Sequence, residues 1–227
     1  MINGLVDYNW DDIENYDDSQ ISYFLFLEGK SIDVISKIRN ISREAVQKHI
    51  IDGKIKYRFL AKSKNSEELL ISISKAGKSD KQLLLNNLDE KNLEALIQYI
   101  KNNYVEMHAK DKETAIWLVG ELKDITCKDI LIRASVHKLV NVRRMAVSAM
   151  GKINDKIFEN ALKRALEDEN PQVIAYALKS LIKMENSVAR DKVKKLLAIS
   201  NKEYIKKLCE EYLNMAETGE KIWVIIQ

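Results

Sequence analysis

The sequence predicts an all-α fold in which a small helical module precedes an α-solenoid of paired helices. The chain of 227 residues contains one proline and seven glycines, which are too few turn residues for a fold built from many strands. A unit of 31 residues recurs through the C-terminal half, with apolar residues at helical spacing in two registers. Because each unit can bury its apolar faces only against its neighbours, the repeat predicts a stack of helix pairs.

The first register of the repeat contains one helix of each pair. Its matching segments are Met145–Met150, Tyr176–Leu181 and Lys207–Tyr212, and one step back it reaches the segment that ends at Gly120. The second register follows Leu131, Leu162 and Val193 at the same spacing. Asn170-Pro171 has the composition of a helix start, with a capping Asn and Pro at the first helical position. These signals predict helix pairs up to about residue 216.

The segment 141–151 resembles the first helix of a HEAT repeat of the short bacterial type, also called the HEAT-like or phycobilin-lyase type. It contains Val142-Arg143, then small residues every three or four positions, then Gly151. HEAT families mostly act as scaffolds that bind proteins or nucleic acid on a concave face lined by the second helix of each unit. The resemblance therefore implies three candidate residues for that face, one in each unit: Arg133, Arg164 and Lys195.

A second explanation applies to these three cations. Asp129 and Asp191 lie one turn earlier in two of the units, and ion pairs between residues four apart on a helix are common. The cations are then part of an ordinary charged surface, and the solenoid holds a protein partner by other contacts.

Charge is distributed very unevenly near the N-terminus. Residues 1–29 contain seven acids and no Lys or Arg, whereas residues 30–64 contain ten Lys or Arg and three acids. The acidic stretch predicts a short amphipathic helix that docks through Trp10 and Ile13, or alternatively a tail that covers the basic surface. The basic block predicts an anionic partner.

Two short helices lie within the basic block. Ser31 and Ser42 each precede an apolar periodic run and are expected to cap it, and Asn40 is expected to make the turn between the runs. The order of Gly, capping Ser, Ile-rich helix, turn, capping Ser and second helix resembles the helix-turn-helix of response-regulator output domains and of sigma factors. That resemblance implies a second helix that enters the major groove of duplex DNA.

Six residues are candidates for nucleic-acid binding. Three lie off the apolar face of the second helix, where Arg and Gln suit base edges and Lys suits a phosphate. Three more follow it in sequence. They are Arg43, Gln47, Lys48, Lys54, Lys56 and Arg58. The alternative is a helical module that binds protein or only supports the fold.

The predicted domain organisation has three parts. Residues 1–64 form the acidic segment and helix-turn-helix, residues 65–218 form the repeat domain, and residues 219–227 form a C-terminal tail. Helices are expected near 20–28, 31–38 and 42–51. The β-branched run Lys221–Ile226 predicts a short strand.

No catalytic motif is present. The histidines His49, His108 and His137 are isolated, and there is no Gly-rich phosphate loop and no metal-binding pair of cysteines. The sequence therefore predicts a non-enzymatic scaffold without cofactor or metal; a HEAT-fold DNA glycosylase is a minor alternative. Cys127 and Cys209 fall in helical stripes, and no apolar run is long enough to span a bilayer, so we expect a cytoplasmic protein with reduced thiols.

Overall fold

A computed structural model describes the backbone of residues 4–226 and the side chains of residues 4–217. Regular secondary structure in these residues is helical throughout, which confirms the predicted all-α fold. Two compact units divide the chain, residues 1–100 and residues 101–227. Residues 65–100 therefore belong to the N-terminal compact unit. The repeat pattern of the sequence instead begins the repeat domain at residue 65, and that domain boundary stays a prediction.

The N-terminal unit begins with a 3₁₀ helix and continues with α-helices. Their bounds are Trp10–Asn15 for the 3₁₀ helix, then α1 (Asp18–Leu27), α2 (Ile32–Arg39), α3 (Arg43–Lys56), α4 (Arg58–Lys62), α5 (Ser66–Lys75), α6 (Lys78–Asn87) and α7 (Glu90–Asn103), whose last turn extends beyond residue 100.

The second unit contains the regular repeats. Its helices are α8 (Ala109–Glu121), α9 (Lys128–Ala134), α10 (Val140–Ile153), α11 (Glu159–Ala165), α12 (Pro171–Lys183), α13 (Arg190–Ile199) and α14 (Glu203–Ile226). Short 3₁₀ turns, Ile125–Cys127 and Lys156–Phe158, precede α9 and α11.

An aromatic cluster holds the N-terminal segment against α1. The ring of Tyr8 stacks on Phe24 with 4.5 Å between centroids, and Trp10 meets the same ring edge-on at 6.4 Å. The predicted docking helix is a 3₁₀ helix, and its Ile13 is 46% exposed. The prediction that Ile13 docks was therefore wrong, because Tyr8, which precedes the helix, provides the stacking contact with Phe24.

α3 is longer than predicted and ends at Lys56 rather than near residue 51. Gly53 is buried within this helix. A Cβ at this position would lie 2.2 Å from Cγ of Tyr23, so the glycine lets α3 approach α1 closely. Tertiary contact thus outweighs the weak helix propensity of glycine.

Close approach between helices also defines the repeat unit. A Cβ at Gly120 would lie 2.8 Å from Cβ of Ala149, and a Cβ at Gly151 would lie 2.2 Å from Oγ of Ser180. Gly151 and Ser180 lie one repeat of 31 residues after Gly120 and Ala149, respectively. The same helix contact is thus made between α8 and α10 and between α10 and α12, which is how each unit buries its neighbour's apolar stripe.

The ends of the longer helices repeat in the same way. Lys123, Asn154 and Glu185 have positive φ values of 53°, 62° and 50°. The residue that follows each of them has a side-chain oxygen that accepts a hydrogen bond from the backbone N–H two residues further along. For example, the N–H of Thr126 donates to Oδ1 of Asp124 at 2.8 Å. One left-handed residue followed by Asp or Asn thus turns the chain into each second helix.

The C-terminal segment differs from its prediction. Residues 221–226 continue α14 rather than forming a strand. The β-branched run directly continues the helix that begins at Glu203. Each residue added to an existing helix gains one backbone hydrogen bond without a new nucleation cost. This local context outweighs the β propensity of the run.

Candidate nucleic-acid interface and repeat surface

The caps and the turn between α2 and α3 form as predicted. Ser31 Oγ accepts from the backbone N–H of Val34 at 3.3 Å, and Ser42 Oγ accepts from the backbone N–H of Ala45 at 3.2 Å. Asn40 lies in the left-handed region with φ 51° and ψ 47°. Each side chain satisfies the local requirement on which its prediction rested.

Polar contacts fix the turn and connect α3 to α1. Ser36 Oγ donates to the backbone carbonyl of Ile41 at 2.5 Å, which links the last turn of α2 to the residue before the next cap. Oγ of Ser22 on α1 lies 3.0 Å from Nδ1 of His49. Arg39 donates to the same hydroxyl at 2.6 Å and pairs with Asp18. His49 therefore belongs to the packing of α3, as its position in the sequence indicated.

The first turns of α3 carry the predicted base-reading residues on the surface. Arg43, Gln47 and Lys48 are all exposed. Nη1 of Arg43 lies 2.6 Å from a carboxylate oxygen of Asp33, and both side chains are more than half exposed. Gln47 and Lys48 form no ion pair or side-chain hydrogen bond with the described residues. Their polar groups are thus available to a ligand.

The three cations that follow each have an intramolecular contact. Lys54 Nζ lies 4.9 Å from the centroid of the Phe26 ring. Lys56 pairs with Asp17 at 3.6 Å, and Arg58 pairs with Asp80 at 2.8 Å. Three of the six candidate residues, counting Arg43, therefore share their positive charge with a carboxylate of the same chain.

Apolar side chains share the outward surface of α3. Ile51 and Ile55 lie one turn apart on the helix and are 58% and 54% exposed. Lys48 and Glu44 precede them on the same stripe of the helix. This surface therefore mixes one cation, one acid and two large apolar groups.

The three candidate residues of the repeat surface lie at one register, on α9, α11 and α13. Arg133 and Lys195 are exposed and form no ion pair with Asp129 or Asp191, so the pairing considered from the sequence does not occur. Arg164 donates to Oγ of Ser135 in the preceding repeat at 3.2 Å. No direct contact joins the three cations to one another.

Sequence reasoning missed a cavity of about 450 Å³ on the longer helices of the repeats. α10, α12 and α14 supply its lining, which combines cations and aromatic rings. The lining residues are Arg144, Gln172, Ala175, Tyr176, Lys179, Tyr204, Lys207 and Leu208. The 31-residue step from Tyr176 to Lys207 is the signal that places these positions on neighbouring helices.

The side chains of residues 4–217 form no cluster that could bind a metal ion. No three His, Cys, Asp or Glu side chains of residues 4–217 could together hold a metal ion. Burial raises the pKa of the Cys127 thiol and that of the Cys209 thiol to about 11. Both are buried and unpaired with each other, which suits packing rather than reactivity.

None of the described helices is both long enough and apolar enough to cross a bilayer.

The repeated contacts and turns define an α-solenoid of HEAT-like helical repeats. In agreement, the family model for HEAT repeats matches residues 141–214. The crystal structure of an engineered protein from the Northeast Structural Genomics Consortium has a similar fold, with a TM-score of 0.53 and 14% sequence identity. That likeness covers 90% of this chain and 98% of the engineered one. No curated protein matches the sequence.

Proposed function

We propose that this chain is a non-enzymatic binding scaffold that holds duplex DNA through α3 and offers its repeats to a protein partner. The observation that carries the DNA proposal is the capped pair of helices joined at left-handed Asn40, with Gln47 and Lys48 exposed on the second helix. Free, buried thiols favour the cytoplasm as its compartment.

The chemistry of α3 suits a duplex in two ways. Gln47 has an amide that can donate to and accept from adenine in the major groove, and Arg43 can reach guanine once it leaves Asp33. The Arg43–Asp33 pair is exposed, so breaking it costs little. Lys48 and Lys54 add charge without an acidic partner and suit phosphates.

The test measures the affinity of the full chain for labelled mixed-sequence duplex DNA at several salt concentrations. R43A/Q47A should lose about 1–3 kcal/mol for each good base contact and relax sequence preference. K48A/K54A should weaken binding to all sequences alike and flatten the salt dependence. Lys75→Ala, an exposed cation on α5, is the matched control. Absence of DNA retention at low salt would overturn the proposal.

A second candidate is a protein–protein adaptor in which α3 binds protein. The exposed Ile51 and Ile55 favour it, because two large apolar groups one turn apart are typical of a helix that docks on another surface. I51S/I55S should then abolish retention of a protein partner while R43A/Q47A leaves it intact. The opposite result, with DNA affinity lost only in R43A/Q47A, favours the DNA proposal.

A further inference from the structure

The cavity between α10, α12 and α14 has the charge and shape of a ligand site. Arg144, Lys179 and Lys207 line it, and no Asp or Glu does. None of the three cations forms an ion pair with the residues whose side chains are described. Because like charges repel, three cations around one cavity without a carboxylate favour an anionic occupant.

Two of these cations, Arg144 and Lys179, contact the ring of Tyr176. The guanidinium of Arg144 lies 5.7 Å from the centroid of the Tyr176 ring, and Nζ of Lys179 lies 5.8 Å from the same centroid. The ring therefore holds both charges at the cavity. Nε of Arg144 is buried and has no hydrogen-bond partner among the described residues. A buried donor without a partner is costly, so Arg144 keeps hydrogen-bonding capacity that the described residues do not satisfy.

The remaining lining gives the cavity an apolar part. Ala175, Leu208 and the ring of Tyr204 lie beside the cations. An occupant that combines carboxylates with apolar side chains fits both parts, whereas a fully hydrated small anion uses only one.

This cation cluster is not repeated at the equivalent positions of the preceding repeat. One repeat before Arg144 the chain has Glu113, and Lys152 of α10 pairs with Glu121 of α8 at 2.7 Å. The basic surface thus does not continue along the preceding helix. A long polyanion gains from an extended row of cations, whereas a short acidic segment needs only a local cluster.

We propose that this groove, defined by the eight lining residues, binds an acidic and apolar linear segment of a protein partner. Its carboxylates pair with Arg144, Lys179 and Lys207, and its apolar side chains pack on Tyr176, Tyr204 and Leu208. The site is separate from α3 and does not depend on DNA binding.

The test uses the full chain and a fluorescein-labelled peptide of alternating Glu and Leu, with a Lys and Leu peptide as the probe control. The acidic peptide should bind and weaken with added salt, and the basic peptide should not bind. K179E/K207E should lower affinity by about tenfold or more. K156E/K194E, which makes the same change in net charge at two exposed positions of the repeats outside the groove, should stay within about twofold of the wild type.

Further measurements distinguish the acidic segment from other possible occupants of the groove. K179R/K207R keeps the charge and should keep the affinity, and thermal unfolding checks that each variant is folded. An equal loss in K179E/K207E and K156E/K194E would contradict the proposal. So would tighter binding of a single-stranded oligonucleotide than of the peptide, or self-association of the chain that K179E/K207E abolishes. Duplex DNA retention should be the same in K179E/K207E and the wild type.

Discussion

Arg143 and Asp168 form a bidentate ion pair that joins α10 to the turn before α12. Nε of Arg143 lies 2.7 Å from one carboxylate oxygen, and Nη2 lies 3.0 Å from the other. Both side chains are only 9% exposed. Nη1 of Arg143 also donates to the backbone carbonyl of His137 at 2.9 Å, so one guanidinium fixes the start of its own helix and the turn of the next repeat.

Removing one member of this pair should destabilise the protein severely. Arg143→Ala leaves Asp168 buried without its cation, and the free energy of unfolding should fall by about 3–5 kcal/mol. R143M/D168L, which removes both charges, should lose less than Arg143→Ala. Urea unfolding measures both. Arg144→Ala, at the next position, is the control and should lose under about 1 kcal/mol, since Arg144 has no acidic partner. Equal losses at Arg143 and Arg144 would contradict the role assigned to the pair.

The left-handed residue at the end of α12 offers a stabilising change. Glu185 has φ 50°, where a side chain with a Cβ costs about 1–2 kcal/mol and glycine costs none. Glycine also gives the unfolded chain more freedom, which offsets about 0.4–1 kcal/mol of that gain. Glu185→Gly should therefore raise the free energy of unfolding by about 0.5–1 kcal/mol, measured by urea unfolding.

The equivalent position one repeat earlier provides the comparison. Asn154 has φ 62°, but Asn tolerates this region well, so Asn154→Gly should change stability little. If Asn154→Gly raised the free energy of unfolding as much as Glu185→Gly, relief of backbone strain would not explain the gain at Glu185.

The signals that predicted the fold are local. Ser31, Ser42 and Asn40 act on backbone groups within a few residues, so their sequence neighbours were enough to predict caps and turn. The repeat spacing predicted the stacking of helices because Gly120 and Gly151 make the same contact one unit apart. The extent of α3 was not predictable, since the reason Gly53 does not end the helix is its contact with distant Tyr23.

The sites were harder to predict than the fold. Exposure of Gln47 and Lys48 follows from helical periodicity, but the partners of Lys56 and Arg58 are Asp17 and Asp80, which no local pattern connects to them. The groove of Tyr176 collects residues from three helices. Its cations occur singly along the sequence, and only the packing of neighbouring repeats brings them to one cavity.

Contact between α10 and α12 depends on the absence of a side chain at Gly151. Gly151→Ala places a Cβ about 2.2 Å from Oγ of Ser180, so the helices must separate or shift. The free energy of unfolding should fall by about 1–3 kcal/mol, as for other overpacked cores. Guanidinium or urea unfolding measures the loss.

A double variant separates this steric effect from helix propensity. Ser180→Gly removes the opposing side chain. Alone, it costs about 0.5 kcal/mol of helix propensity and loses the 3.1 Å hydrogen bond from Oγ to the carbonyl of Val147. In G151A/S180G the nearest remaining atom is Cα of residue 180, at 3.1 Å from the new Cβ, so the clash is much reduced and the combined loss should be smaller than the sum of the single losses. Strict additivity would mean that the two positions do not limit the helix spacing.

Burial of the two thiols should make their reactivity report on unfolding. The pKa of Cys127 and that of Cys209 rise from an ordinary value of 9.0 to about 11, mainly because burial disfavours the thiolate. The thiolate is the nucleophile, so at pH 8 neither residue of the folded protein should react with iodoacetamide at the rate of a free cysteine. Urea should restore that rate. Fast reaction of the folded chain would show that one thiol is accessible.

The same shifts predict a dependence of stability on pH. Below about pH 9 both states hold the thiol protons, and these groups leave the free energy of unfolding unchanged. Between about pH 9 and pH 11 the unfolded chain releases protons that the folded chain retains, so stability falls as pH rises. C127A/C209A removes both groups and should show a smaller fall over this range. An identical fall in the variant would assign the alkaline loss to other groups, such as Tyr104, whose pKa burial raises to about 12.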